Sequence, residues 1–101
     1  MNQLGDEIRR LREQKGFLQR QIASLLEIDT PMLSKIERGE RNAKREHILK
    51  LSKFFNVPED DLLSLWIADK LIEVVKDEKV GLKSIEFVHS FLEKELNLIH
   101  K

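Results

Sequence analysis

The stretch Gln19 to Arg38, QRQIASLLEIDTPMLSKIER, decides how the rest of the chain is read. It spells two short helices joined by a tight turn. Ile22, Leu25 and Leu26 recur at helical spacing in the first, and Leu33 and Ile36 in the second. Ala23 is small enough for another helix to cross closely at that point. The turn is Glu27-Ile28-Asp29. Its usual need for a positive φ falls on Glu27 rather than on glycine, at a cost on the order of 1–2 kcal/mol. Asp29 or Thr30 then caps the second helix, and Pro31 sits in its first turn, where no amide partner is lost. Thr30, Pro31, Met32, Ser34, Lys35 and Arg38 are left facing outward, and Gly39 ends the helix.

Upstream, Leu4, Ile8 and Leu11 give one buried stripe on a helix from Asn2 or Gln3 to Lys15, closed by Gly16. Leu18 precedes the helix that starts at Gln19 but has no oxygen to cap it; Gln21 can reach back in partial compensation, and Phe17 and Ile22 can form a staple. Downstream, the loop of residues 40–44 is polar and basic. A fourth helix, about Arg45 to Phe55, turns Ile48, Leu49, Leu51, Ser52 and Phe55 inward, and Asn56-Val57-Pro58 stops it. Glu59, Asp60 and Asp61 after Pro58 suit the positive end of a fifth helix, expected to run to about Glu78. Its apolar residues are too many for one stripe, so it must be covered on two sides. A last amphipathic helix, about Ser84 to Leu98, repeats Ile85, Val88, Leu92 and Ile99, with Phe91 and Leu96 beside them.

The reading is all-α, with residues 1–65 as one helical domain and residues 66–101 as a helical extension that pairs two copies. Leu65, Trp66, Leu71, Ile72, Val75, Ile85, Val88, Phe91 and Leu92 are the expected dimer surface. An apolar share of 41% is ordinary for a globular protein and too high for a disordered one. The absence of cysteine excludes disulfides and thiolate metal sites. The longest uncharged run, Leu62 to Ala68, is far short of the ~20 residues a membrane span needs, and the start of the chain is no signal peptide. A cytoplasmic protein without membrane contact is expected. Net charge is zero, yet residues 1–58 hold twelve cations, all seven arginines among them, against eight acids. Residues 59–101 hold six lysines against ten acids. Forked cationic donors gathered in one half suit phosphate.

Residues 4–65 resemble the phage-repressor and Cro type of helix-turn-helix, the xenobiotic-response-element group of bacterial regulators. The carrying residues are Leu4, Ile8, Leu11, Arg12, Gly16-Phe17-Leu18-Gln19, Ile22-Ala23, Leu26, Ile28, the run Leu33-Ser34-Lys35-Ile36-Glu37-Arg38-Gly39, and Leu51 to Val57. Departures are Glu27 in a glycine position, Leu18 where Ser or Thr caps, and Ala43 where Pro is common. They touch local stability, not the fold. The resemblance implies a five-helix domain whose third helix reads bases of double-stranded DNA. It puts Gln19 against a phosphate, beside free helix amides. It turns Thr30, Pro31, Ser34 and Lys35 toward base edges. Lys35 suits guanine O6 or N7, and Thr30 or Met32 a thymine methyl. Arg38, Arg41, Asn42 and Lys44 grip phosphates past the helix end, giving salt-sensitive affinity. Glu37 pairs with Arg12 as a structural brace.

No catalytic or metal-binding constellation is present in the sequence: His47, His89 and His100 lack ligand spacing, and His47 reads as a surface residue of the fourth helix. No enzyme activity and no cofactor are expected. Two functions remain. One is a homodimeric transcriptional regulator reading a palindromic operator. The other is an antitoxin-like interaction module whose C-terminal helices bind a different protein, with DNA binding secondary. The operator and the direction of regulation are not encoded legibly.

Overall fold

The computed structural model describes residues 2–99, all of whose regular structure is helical. The helices are α1 (Gln3–Gln14), α2 (Gln19–Leu26), α3 (Thr30–Glu37), α4 (Arg45–Phe55), α5 (Glu59–Val75) and α6 (Gly81–Ile99). The side chains of Leu98 and Ile99, and His100 as a whole, lie outside the described residues.

The helix ends follow from local chemistry. The Asn2 side chain caps α1 by accepting the Gly5 amide at 2.5 Å. Leu18 offers α2 nothing, and Gln21 Oε1 instead accepts the Leu18 amide at 2.8 Å. Glu27 closes α2 in the left-handed region at φ 59°, and Asn56 closes α4 at φ 55°. Asp29 caps α3, accepting the Met32 amide at 2.8 Å. Two boundaries differ from those expected. Helix α5 stops at Val75 rather than near Glu78, and α6 begins at Gly81 rather than Ser84. Gly81 lies hard against the Val75 carbonyl, so the chain turns within one short link.

The chain forms two compact units, one ending at Asp69 and the other beginning at Lys70. The first unit is built around Ile8, Ile22, Leu33, Ile48, Leu51, Phe55 and Leu62, each almost wholly buried. Full burial of such a side chain stabilises by about 1.5–3 kcal/mol over leaving it exposed. Helices α1 and α3 approach so closely at Gly5 that a Cβ there would meet the Ile36 carbonyl at 2.5 Å. The unit runs a helical turn past residue 65 because α5 is still bonded to it. The Asp69 carboxylate accepts the Gln3 amide at 2.8 Å and the Leu4 amide at 3.0 Å, giving α1 a second cap from a distant part of the chain. Leu49, expected inward, is exposed. It lies on the flank of α4, one residue from the buried Ile48. The Phe54 ring instead packs at a 60° tilt against Phe17 with centroids 5.0 Å apart.

The second unit differs in kind. Among its described residues only Gly81 is buried, with Val75, Ser84 and Ile85 half-buried. Leu71, Ile72, Val74, Val80, Leu82, Phe87, Val88, Phe91, Leu92 and Leu96 are all 40–77% exposed.

Candidate nucleic-acid interface

Three helices converge on one carboxylate. Glu37, 5% exposed, accepts from Arg12 Nε at 2.7 Å and from Arg12 Nη2 at 3.0 Å. It also accepts from Gln19 Nε2 at 3.0 Å. Arg12 Nη1 donates to the Phe17 carbonyl at 3.0 Å. The forked pair joins α1 to α3, and Gln19 adds the first residue of α2 to the same centre. A groove opens over this centre, lined by Arg9, Arg12, Gln19, Ser34, Glu37 and Arg38. Gln19, expected on a phosphate, thus also serves the brace with one of its amide hydrogens. Arg9 also stands on the groove and is paired with Glu13 at 2.9 Å.

Helix α3 turns Leu33, Ile36 and Glu37 inward. On its other side Pro31, Lys35 and Arg38 are exposed, and Thr30 and Ser34 half-exposed. Met32 is set differently from its neighbours: it packs against the hydrophobic core, so its thioether is divided between fold and surface. Lys35, Arg41, Asn42 and Lys44 are exposed. Among the described residues their side chains form no hydrogen bond or ion pair, which leaves their donors available to an anion. Arg38 is engaged, with Glu40 and with Ser34.

The basic loop is fixed from behind. Ala43 is buried, and its carbonyl accepts from Trp66 Nε1 at 2.9 Å. The Arg45 guanidinium lies 5.2 Å over the indole ring. Leu65 and Trp66, expected on the dimer surface, are half-buried and pack against the core of the first unit. Leu71, Ile72, Val88, Phe91 and Leu92 are exposed, while Val75 and Ile85 are half-buried. His47 is corrected: it is buried, not a surface residue. Its Nδ1 accepts the Lys44 amide at 3.2 Å, supplying the cap that the Lys44 side chain cannot. Burial pushes the imidazole below its ordinary value of 6.5, with Glu46 acting against this and Lys44 and Lys50 adding to it. None of these tertiary partners is visible in local spacing. No group of side chains that could hold a metal ion occurs among the described residues, and no helix there is long and apolar enough to cross a membrane.

A buried brace under a short exposed helix, with free cations past its end, defines the class. The family model for the helix-turn-helix matches residues 8–62, more than half of the chain, and the chain belongs to that family. It is similar to the HTH-type transcriptional regulator ImmR of Bacillus subtilis (strain 168), with 37% identity over 60 residues. That match takes in 59% of this chain and 47% of ImmR, so the chain spans about half the length of this relative. Among solved structures it is similar to the restriction-modification controller protein C.AhdI from Aeromonas hydrophila. The two are 34% identical with a TM-score of 0.52, over 58% of this chain and 86% of that one.

Proposed function

We propose that the protein is a sequence-specific DNA-binding transcriptional regulator, cytoplasmic and homodimeric, that sets α3 of each copy into successive major grooves of a palindromic operator. The observation that carries this is the outward row Thr30, Pro31, Ser34 and Lys35 on a helix whose inner row is fully buried. Lys35 is the direct donor to guanine, with the Thr30 methyl toward thymine. Gln19, Arg38, Arg41, Asn42 and Lys44 hold the backbone, and the groove over Glu37 takes one phosphate. Two reading helices about 34 Å apart, related by a two-fold axis, match a palindrome. The exposed apolar residues of the second unit supply the pairing surface.

Selection of bound sequences from a random DNA pool, repeated with Lys35→Ala, tests the reading. The wild type is expected to return a palindrome, and the variant to lose preference at one base pair of each half-site. Identical preferences in both proteins would sink the assignment of Lys35. In solution a mass of twice 11.9 kDa is expected. A monomer that assembles only with a different protein would favour the interaction-module reading instead.

A further inference from the structure

At the end of α3 three surface side chains form a chain of hydrogen bonds. Arg38 Nε donates to Glu40 Oε2 at 2.8 Å, and Arg38 Nη2 lies 2.7 Å from the same oxygen. Arg38 Nη1 donates to Ser34 Oγ at 2.5 Å. Glu40 is in turn anchored by its backbone. Its amide donates to the Lys35 carbonyl at 2.9 Å, and the Gly39 amide donates to the Ile36 carbonyl at 3.1 Å. This paired closure needs the left-handed φ of 78° that Gly39 supplies. The acid is therefore held beside the last turn of the outward helix by the same bonds that end it.

A serine hydroxyl has one proton to give and two lone pairs to accept with. At Ser64 and Ser84 that proton goes to the helix itself, to the Asp60 and Val80 carbonyls, and Ser52 Oγ gives its proton to the Val57 carbonyl. Ser34 differs. It accepts from a guanidinium, and among the described residues nothing takes its proton. A cationic donor on its lone pair also polarises the O–H bond.

We propose that Glu40 is a positioning residue for base readout: by holding Arg38 on one lone pair of Ser34 it favours Ser34 as a hydrogen-bond donor to a base. This rests on the reading of α3 as the DNA-reading helix. A donor poised in this way favours an acceptor on the groove edge, such as purine N7, guanine O6 or thymine O4, over the amino group of cytosine. Arg38 has five N–H donors. Two serve Glu40 and one serves Ser34, so two remain for a phosphate oxygen, and the phosphate grip and the donor role share one side chain.

The test is selection from a random DNA pool by the full-length wild type, Ser34→Ala, Glu40→Ala and Glu40→Gln, with affinities measured for the selected site and for unrelated DNA. Thermal melting of each variant checks that the fold is kept. The wild type is expected to select an acceptor base at one position per half-site, and Ser34→Ala to relax that position. Glu40→Ala should relax the same position by about fivefold or more, the scale of one directed contact, while binding unrelated DNA more tightly because an acid near phosphate is gone. Glu40→Gln, which still accepts from Arg38, should keep most of the preference. An equal change in affinity for all sequences in Glu40→Ala overturns the proposal and leaves base reading by α3 intact. A wild type that selects no sequence overturns both.

Discussion

The two units of this chain reach order by different routes. In the first, each helix buries an apolar stripe against its neighbours, and the polar groups left inside are matched: Glu37 with Arg12 and Gln19, His47 with an amide, Trp66 with a carbonyl. In the second, α6 carries Leu82, Phe87, Val88, Phe91, Leu92 and Leu96 in the open. Large apolar side chains exposed in such number are what an interaction surface requires. The contrast separates two jobs along one chain. In the proposed dimer, a self-contained unit presents a fixed helix, and the second unit gathers copies.

The largest effect should come from charging the second unit. Phe91→Glu is expected to halve the solution mass to 11.9 kDa, with melting of the first unit retained. Loss of the second reading head should weaken operator binding by about 100-fold or more. If mass and affinity both survive, the second unit does not pair copies. The next effect falls inside the first unit. Glu37→Ala leaves the Arg12 guanidinium, 11% exposed, without its carboxylate. Stability should fall by about 3–5 kcal/mol in chemical denaturation, with base preference unchanged. Unchanged melting together with shifted preference would make Glu37 a reading residue instead. The smallest effect is a pH dependence. The folded value of His47 lies below the ordinary 6.5, so the unfolded chain takes up the proton first as pH falls. The stability tied to this group is complete above about 6.5 and declines as pH drops toward the folded value. His47→Gln can still accept the Lys44 amide, and its melting temperature should fall less than that of the wild type between pH about 7 and about 5. Parallel declines in the two proteins would clear His47 of that role.

What could be read from the sequence was what is encoded nearby. Gly16, Glu27, Gly39 and Asn56 close helices through their own backbone angles, and Asp29 caps α3 through its own side chain, so the helices of the first unit fall out of local patterns. The outward row of α3 follows from the same periodicity. Long-range partners were not legible. Nothing near Ala43 announces a bond to Trp66, and nothing near Gly5 announces the Ile36 carbonyl that crosses it. A histidine at the third helical position looks solvated until the loop before it folds back. The pairing of Arg38 with Glu40 escaped for another reason: helical spacing rules do not extend past a helix end, where Gly39 reverses the chain. The Arg12–Glu37 brace entered the reading only through the resemblance to repressors, because the two residues are 25 apart in sequence.

The double bond from Asp69 to the start of α1 also has a bearing on how the protein is made. Synthesis proceeds from α1 toward α5, so the Gln3 amide is exposed 66 residues before its acceptor exists. At roughly 5–20 residues per second that interval is on the order of 3–13 seconds. During it Asn2 alone caps the helix that braces α3. The last residue of the first unit to be translated is the one that clamps its first turn, and a nascent chain stalled short of Asp69 lacks that clamp.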